Sequence, residues 1–171
     1  MRKVILYIAM SIDGYICDEH GGVDWLVGHD KDNQDSTYDT FIQNIDTICM
    51  GYTTYHQIIH ELSPDVWPYF EQHTYVLTHH QKENTKNISF VDDIHSLLLD
   101  LKSKDGKDIW ICGGASLVKQ CIDDIDEFHI SNIPTILSRG TSLFQFDQQI
   151  SLYLMETSEN NGIVELKYKR K

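Results

Sequence analysis

The sequence is short of positive charge, of long apolar stretches and of arginine. Its 171 residues include 14 lysine and arginine residues against 26 acidic ones, a formal charge of −12 with histidine counted as neutral. Nucleic acids and anionic lipids bind to basic faces, so both are disfavoured as partners. No apolar stretch of this sequence approaches the roughly 20 residues that cross a bilayer. We therefore expect a small-molecule partner, no nucleic acid, no membrane and a cytoplasmic location.

Several familiar catalytic motifs are also absent from the sequence. The dinucleotide fingerprint GxGxxG, the Walker A phosphate loop and the GxSxG nucleophile motif do not occur. The four cysteines, Cys17, Cys49, Cys112 and Cys121, include no CxxC pair, so we expect reduced thiols. The nine histidines form no HExxH motif, and we expect no metal site.

Apolar runs and turn signals divide the chain into two regions. Up to residue 122, short apolar strands alternate with helical segments, whereas beyond Glu127 only strands follow. This order predicts one α/β domain over residues 1–171, with a mostly parallel central sheet and antiparallel C-terminal strands. Asp92 and Asp93 are in position to cap a helix, and Asn161-Gly162 predicts a tight hairpin turn. Strands are predicted at residues 4–10, 47–50, 73–78, 88–91, 109–112, 143–146, 152–156 and 163–169 and through Phe128 and Ile130. Helices are predicted at residues 37–44, 53–61, 94–104 and 116–122. A long active-site loop is predicted at residues 11–35.

Three polar, glycine-containing junctions follow predicted parallel strands, at residues 11–14, 51–54 and 113–116. Ligands of such sheets bind beyond the carboxyl ends of the parallel strands, so we expect the three junctions at one binding edge. Glycine lets a backbone approach a phosphate closely, which makes Gly51 and Gly113-Gly114 candidate anion contacts. The alternatives are a tight strand-to-helix turn at Gly113-Gly114 and simple N-capping by Thr53.

The junctions belong to a series of short segments: SIDGYI at 11–16, MGYTTY at 50–55, VLT at 76–78, ICGGASLV at 111–118, DEFHI at 126–130, IP at 133–134 and GTSLF at 140–144. In this order they resemble the dihydrofolate reductase-like superfamily, and most of all its riboflavin-biosynthesis reductase branch, the RibD C-terminal-domain family. The resemblance covers nearly the whole chain. It implies a three-layer fold with helices on both faces of the sheet, a cis peptide between Gly113 and Gly114, and a homodimer formed through the C-terminal strands.

The resemblance further implies a reductase that uses NADPH. The nicotinamide would lie near Ala9 and Ile16. The phosphates on the adenine side and the pyrophosphate would contact a larger set, namely Gly51, Thr53, Thr54, Thr78, His79, Gly113, Gly114, Ala115, Ser116 and Leu117.

Two positions depart from the pattern of the family. Tyr52 stands where the family usually has an arginine that reads the 2′-phosphate of NADPH. Tyrosine lacks the charge and the fork of arginine, so NADH is the alternative cofactor unless His79 compensates. Ser138-Arg139-Gly140 replaces a more usual glycine-rich turn. Arg139 either binds a phosphate of substrate or cofactor or is a surface residue.

The catalytic acid is expected among the aspartates of the first loop. Folate reductases carry an acidic residue beside the pterin, shortly after a tryptophan, and Asp30 has the best spacing from Trp25. Asp32 and Asp35 fall in the same region, and Asp13 is an alternative on the nicotinamide side. Trp25 either caps a pocket or anchors the core, and Ser131 is a candidate for substrate contact.

The resemblance implies a reductase of a pyrimidine-, pterin- or ribosylaminopyrimidine-type substrate, similar to the 5-amino-6-(5-phosphoribosylamino)uracil reductase of riboflavin biosynthesis. A dihydrofolate reductase is the alternative enzyme, and a non-catalytic nucleotide-binding or scaffold protein is the alternative of another class. Residues 13–46 contain nine acidic residues and one base, Lys31. Such an acidic entrance would disfavour a polyglutamylated folate or a phosphorylated sugar unless Arg139 or a histidine offsets its charge, which leaves the substrate open.

Overall fold

The computed structural model describes residues 1–30, 37–80 and 82–171. Its strands are β1 (Val4–Ser11), β2 (Tyr15–Cys17), β3 (Ile45–Gly51), β4 (His73–Leu77), β5 (Ile88–Val91), β6 (Asp108–Gly113), β7 (Glu127–Ile133), β8 (Thr141–Ser142), β9 (Leu152–Asn160) and β10 (Ile163–Arg170). Its helices are α1 (Tyr38–Ile42), α2 (Tyr52–Gln57), α3 (Ile94–Lys102) and α4 (Ala115–Cys121), with a π-helical turn at Ile58–Leu62 and a 3₁₀ turn at Ile122–Asp124. Among these residues, no helix has the length and apolar character needed to cross a membrane.

Eight strands form one sheet in the order β5-β4-β3-β6-β1-β7-β10-β9, and β2 pairs with β8 in a separate two-stranded sheet. From β5 to β7 neighbouring strands run parallel, whereas β10 is antiparallel to both β7 and β9. The predicted α/β class, with a mostly parallel sheet and antiparallel C-terminal strands, is therefore confirmed.

Apolar cores cover both faces of the sheet. Successive side chains of β6 point to opposite faces, so Ile109 and Ile111 join one core while Trp110 joins the other. The first core includes residues of α3 and α4, and the second includes residues of α1 and Ile58 of the π-helical turn. This arrangement explains why the parallel strands read as nearly continuous apolar runs. It also confirms the three-layer architecture.

Local signals fix several element boundaries. The Asp93 carboxylate accepts hydrogen bonds from the backbone N–H of Ser96 at 3.1 Å and from its hydroxyl at 2.6 Å, so Asp93 is the N-cap of α3. These bonds lower the pKa of Asp93, with the Ser96 hydroxyl as the main cause. The β9–β10 turn has positive φ at Asn161 (56°) and Gly162 (77°), as the predicted tight hairpin requires.

Three predicted elements differ from the structure. The predicted loop at 11–35 contains strand β2, which pairs with β8. The helix predicted at 53–61 ends at Gln57 and continues as the π-helical turn. The strand predicted at 143–146 is wrong. The strand that forms here is β8, which ends at Ser142, and the N–H of Leu143 bonds to the carbonyl of Gly14 at 2.9 Å next to the β2–β8 pairing.

Candidate active site

The three predicted junctions lie at one edge of the sheet, because β1, β3 and β6 are parallel and each junction follows one of them. Residues 78–80 follow β4 at the same edge. The register places Met50 opposite Gly113 and Gly51 opposite Leu77, so the ends of β6, β3 and β4 are in line. The convergence expected from the sequence is therefore present.

Gly114 is the meeting point of the junctions. The Gly113–Gly114 peptide bond is cis, as the resemblance implied. A Cβ atom built on Gly114 would lie 3.5 Å from Oγ1 of Thr54 and 4.0 Å from Cδ1 of Ile16. A Cβ atom built on Gly51 would lie 3.8 Å from the amide nitrogen of Gly114. Residues predicted to meet the nicotinamide, the pyrophosphate and the adenine-side phosphate are thus grouped around Gly114.

The fold requires glycine at only one of the three glycine positions at this meeting point. Gly113 has φ +113°, and a Cβ atom there would come within 3.1 Å of Ile8 Cδ1, so the fold itself requires glycine. The added atom at Gly51 or Gly114 would meet only ordinary van der Waals contacts. Packing within the chain therefore does not require these two glycines. Gly113 is buried and Gly114 is half-buried, so Gly114 is the residue of this turn whose backbone a ligand can approach.

Of the residues that directly follow Gly114, two have buried side chains that a ligand cannot contact. Ala115 and Leu117 are buried and belong to the packing of α4, while Ser116 is exposed. Thr53 is likewise exposed. A ligand at this edge can therefore meet the hydroxyls of Thr53 and Ser116, but it can reach Ala115 and Leu117 only through their peptide groups.

A cavity of about 490 Å³ opens beside this edge, beyond β4 and β5. Tyr52 lies next to it, because the ammonium nitrogen of Lys82 is 5.3 Å from the centroid of the Tyr52 ring. The Thr78 hydroxyl accepts a hydrogen bond from the His80 N–H at 3.1 Å. The cavity contains two residues of the predicted cofactor set, Thr78 and His79, and its full lining is Thr78, His79, His80, Lys82, Glu83, Phe90, Val91 and Asp92.

A row of side chains crosses the sheet on the other side of β1. Ala9 of β1 is opposite Ser131 of β7, and Ser131 is opposite Glu165 of β10. The buried Ser131 hydroxyl donates a hydrogen bond to the Glu165 carboxylate at 2.8 Å. Two positions before Ala9, the hydroxyl of Tyr7 lies 3.2 Å from that of Thr37. Burial is the main cause that raises the pKa of Tyr7, so Tyr7 is neutral at physiological pH.

Asp13 has a fully engaged carboxylate. It accepts hydrogen bonds from the Ser11 hydroxyl at 2.7 Å, the Leu137 N–H at 3.1 Å and the Ser138 N–H at 2.7 Å. The pKa of Asp13 is lowered, chiefly by the Ser11 hydroxyl and further by the two backbone N–H groups. Asp13 therefore stays ionised and joins the first junction to the turn at 137–138.

Asp30 and Trp25 lie in the loop that follows β2. The N–H of Asp30 donates to Oδ1 of Asn161 at 2.8 Å, and Nδ2 of Asn161 donates to the carbonyl of Asp30 at 2.7 Å. The β9–β10 turn thereby fixes the main chain of Asp30 near the carboxyl end of β7. Trp25 is half-buried, and its indole N–H donates to the carbonyl of Gly22 at 3.2 Å. The other two predicted acids, Asp32 and Asp35, lie outside the described residues.

Arg139 is exposed, and its guanidinium lies 3.9 Å from the Glu19 carboxylate. Asp46, at the end of the acid-rich stretch, lies at the opposite edge of the sheet. There it pairs with Arg2 and accepts the Lys107 N–H at 2.8 Å. The prediction that residues 13–46 form one acidic entrance is therefore wrong for Asp46. This residue lies at the amino end of β3, away from the carboxyl ends of the parallel strands.

The cysteines are free thiols, as expected, and Cys49 and Cys121 are buried. Burial raises the pKa of Cys121 to about 12 and that of Cys49 further still. Both sulfurs are therefore protonated in the folded chain. Within residues 1–30, 37–80 and 82–171, no group of three His, Cys, Asp or Glu side chains is arranged to hold a metal ion.

The sequence interpretation missed Lys82 and Glu165. Lys82 belongs to no motif, and only the folded path of the β4–β5 connection brings it over Tyr52. Glu165 shares a face with Ser131 through the antiparallel register of β7 and β10. The one signal available for Glu165 was its alternation with Leu166 and Lys167 in a predicted strand. This pattern predicts which face of the sheet the side chain occupies, but it does not predict which residue lies opposite.

The chain is similar to known proteins along nearly its whole length. The family model of the RibD C-terminal domain matches residues 2–163. The uncharacterised protein YwjB of Bacillus subtilis (strain 168) is 36% identical over 174 residues, covering 99% of this chain and 98% of that protein. The uncharacterised protein YyaP of the same organism is 32% identical over 181 residues, covering 98% and 94%.

Solved structures share the fold. A protein from Shewanella sp. PV-4, provisionally named as a riboflavin biosynthesis protein, superposes with a TM-score of 0.85, 27% identity and 99% coverage of both chains. The deaminase and 5-amino-6-(5-phosphoribosylamino)uracil reductase of Thermotoga maritima gives 0.73 at 14% identity, and the present chain spans 57% of it. Dihydrofolate reductase of Enterococcus faecalis, complexed with NADP(H), gives 0.69 at 17% identity, with 98% and 96% coverage.

At these identities the last two structures support the dihydrofolate reductase-like fold alone. The family rests on the model that matches residues 2–163 and on a relative 36% identical along nearly its whole length. The chain belongs to the RibD C-terminal domain family.

Proposed function

We propose that this chain is a reductase that uses NADPH to reduce a small pyrimidine-, pterin- or ribosylaminopyrimidine-type substrate. The observation that carries the proposal is the meeting of Ile16, Thr54 and the Gly113-Gly114 backbone at the carboxyl edge of the parallel strands. Family membership supports it. So does the structural likeness to proteins whose names include a reductase.

The residues at this edge fit a dinucleotide. Gly51 and Gly114 place no side chain at the turn between β6 and α4, and the half-buried Gly114 and the Thr54 hydroxyl are the groups proposed to contact a pyrophosphate. Ile16, whose Cδ1 atom borders Gly114, offers an apolar surface to a nicotinamide ring near Ala9. When bound, the reduced nicotinamide supplies a hydride to a C=N or C=O carbon of the substrate.

The substrate is proposed to lie on the other side of β1, between the first loop and β7. Trp25, Ser131 and Arg139 are the proposed contacts, with Asp30 as the proton donor. Asp13 is the second candidate in that role. Its lowered pKa and three hydrogen bonds favour positioning of the 11–14 junction instead.

The substrate class follows from the named reductases that share the fold. A ribosylaminopyrimidine is the substrate type named for the Thermotoga maritima enzyme. Dihydrofolate is the second candidate, because Asp30 comes five residues after Trp25 and the Enterococcus faecalis enzyme shares the fold. We further propose a homodimer formed through the C-terminal strands and a cytoplasmic location.

The test has two stages. Calorimetric titration of the purified chain with NADPH and with NADH measures cofactor binding directly. NADPH oxidation is then followed with 5-amino-6-(5-phosphoribosylamino)uracil and with dihydrofolate. We expect NADPH binding and turnover of the pyrimidine. Turnover of dihydrofolate alone would support the alternative enzyme, and binding without any turnover would support a non-catalytic nucleotide-binding protein. If neither dinucleotide binds, the reductase proposal is wrong.

A further inference from the structure

Glu165 is a half-buried carboxylate without an ion-pair partner among the described residues. The register of β1, β7 and β10 places it in one row with Ser131 and Ala9, so the three side chains share a face of the sheet. Within the described part of the chain, the Ser131 hydroxyl is its hydrogen-bond donor, at 2.8 Å. A carboxylate offers about four acceptor sites, so most of the acceptor capacity of Glu165 is left for another donor.

Two other carboxylates on this face pair with lysines. Lys3 donates to Glu127 at 2.7 Å, and Lys167 donates to Glu156 at 2.8 Å. A half-buried carboxylate without a counter-charge costs free energy unless hydrogen-bond donors replace the water that it lost. The third carboxylate, at the level of Ala9, therefore favours a ligand that brings donors to it.

A neutral hydroxyl lies near this carboxylate. Tyr7 precedes Ala9 by two positions on β1, and its hydroxyl lies 3.2 Å from that of Thr37. Burial is the largest cause that raises the pKa of Tyr7, and the Glu165 carboxylate raises it further. The Tyr7 ring packs against Phe41, with ring centroids 4.4 Å apart. The phenol is therefore uncharged and fixed in place, and it lies close enough to Glu165 to be affected by its charge.

The first loop brings the proposed substrate side close to Glu165. Asn161 bonds to the main chain of Asp30 at 2.8 and 2.7 Å, and Glu165 comes four positions after Asn161 on the same hairpin. The proposed proton donor and Glu165 are therefore both held at the start of β10. A substrate between the first loop and β7 would meet Asp30 on the loop side and Glu165 on the sheet side.

We infer that Glu165, held by Ser131, binds N–H groups of the substrate and so selects a nitrogen heterocycle that presents hydrogen-bond donors to β7 and β10. The inference rests on the proposed function, since it adds a specificity-determining residue to the same substrate site. A hydrogen bond from an N–H group to a carboxylate is roughly twice as strong as one between neutral groups. A substrate carboxylate or phosphate would be repelled at this position, so any anionic group of the substrate lies elsewhere.

The test measures the binding of ring fragments, so that no turnover is needed. 5,6-Diaminouracil and 2-amino-4-hydroxypteridine, which both present N–H donors, are titrated by calorimetry into the full chain, with and without saturating NADP⁺. We expect Glu165→Gln to weaken each ring that the unaltered chain binds by about tenfold or more. 1,3-Dimethyluracil has no N–H group, and its affinity should be the same in both chains.

Matched variants separate a specific contact from a general loss of charge or of folding. Glu156→Gln removes the same charge on the same face of the sheet, and it should leave the affinity for both donor-bearing rings unchanged. Glu165→Asp keeps the charge but withdraws it by one methylene group, and we expect an intermediate affinity. The glutamine amide oxygen of Glu165→Gln can still accept from Ser131, so urea denaturation and NADPH affinity should match the unaltered chain.

The outcomes distinguish this inference from the proposed function. Equal losses in Glu165→Gln and Glu156→Gln, or unchanged affinity in Glu165→Gln, would overturn the inference. If the unaltered chain binds NADPH but neither donor-bearing ring, the inference is wrong while the cofactor part of the proposed function stands. If a ring binds through Glu165 but neither NADPH nor NADH binds, the subsite stands and the reductase proposal is wrong.

Discussion

The hydroxyl of Ser131 donates a hydrogen bond to the carboxylate of Glu165 across two antiparallel strands, at 2.8 Å. Because Ala9 lies opposite Ser131, this pair continues a row that starts at the proposed nicotinamide position. Ser131 is buried and Glu165 is half-buried, so the carboxylate has a fixed donor in partly desolvated surroundings. The row brings a carboxylate to the side of the sheet where the substrate is proposed to lie.

Replacing Ser131 by alanine should destabilise the fold by about 1–3 kcal/mol, because the half-buried Glu165 carboxylate loses its donor. Urea denaturation of Ser131→Ala measures the change in the free energy of unfolding. The control is Glu156→Gln, which breaks the exposed Lys167–Glu156 ion pair on the neighbouring strands and should have a smaller effect. An effect of Ser131→Ala no larger than the control would mean that the hydrogen bond contributes little.

The Asp13 carboxylate should make stability depend on pH in the acid range. Its pKa is lower in the folded chain than in the unfolded one, so the folded state favours the ionised form. The stabilisation is complete above the unfolded pKa, about 4, and is lost as pH falls through the folded pKa. Thermal unfolding of Asp13→Asn should therefore show a weaker fall in Tm below about pH 4 than the unaltered chain. Parallel pH profiles of the two would exclude this contribution.

Gly51→Ala should separate folding from cofactor binding. The backbone at Gly51 has φ −74° and ψ 157°, which alanine adopts freely, and its Cβ atom would meet no contact shorter than 3.8 Å. We expect the free energy of unfolding to stay within about 1 kcal/mol. NADPH affinity should fall about tenfold or more, since a methyl group would cover the Gly113-Gly114 peptide. The contrasting variant is Gly140→Ala, which should unfold more easily because φ there is +147°.

Asp30→Asn should reduce turnover by about a hundredfold or more if Asp30 delivers the proton. The two hydrogen bonds that join residue 30 to Asn161 use the main chain of residue 30, so the substitution keeps the loop anchored. Steady-state kinetics with the substrate found in the turnover assay provide the measurement. Asp24→Asn, an exposed change in the same loop, should retain full activity. Unchanged turnover in Asp30→Asn would remove Asp30 from the catalytic role.

The C-terminal strands should carry a dimer interface. β9 is the edge strand of the sheet, and it exposes Tyr153, Leu154 and Met155. An edge strand with exposed apolar side chains favours association with another strand. We expect a dimer by sedimentation velocity at micromolar concentration, and a shift to monomer in Leu154→Lys. A monomeric unaltered chain would contradict the prediction.

Local patterns predicted those parts of the fold that local chemistry determines. The strand at residues 88–91 matches β5, and Asp93 caps α3, because apolar runs and capping act over a few residues. The turn at Asn161-Gly162 was predictable for the same reason. The segment 143–146 was not. Its apolar residues resemble a strand, but the strand that forms is β8, whose partner β2 is distant in the sequence.

The candidate site divides in the same way. The glycine junctions are visible in the sequence, because each follows a predicted parallel strand. The proximity of Gly51 to Gly114 could therefore be predicted from strand order. The anchoring of Asp13 to residues 137 and 138, and the position of Lys82 over Tyr52, depend on loop paths. Loop paths follow from tertiary packing and leave no periodic signal in the residues themselves.

The hydrogen bonds between Asn161 and Asp30 join residues 131 positions apart in the chain. During synthesis the first loop therefore emerges long before the turn that fixes it, and β1 likewise precedes its partners β6 and β7 by more than half the chain. A nascent chain that ends before β9 would carry the glycine junctions without the anchor of the proposed acid. Closure of the first loop is therefore a late step of folding, because it requires the turn at residues 161–162.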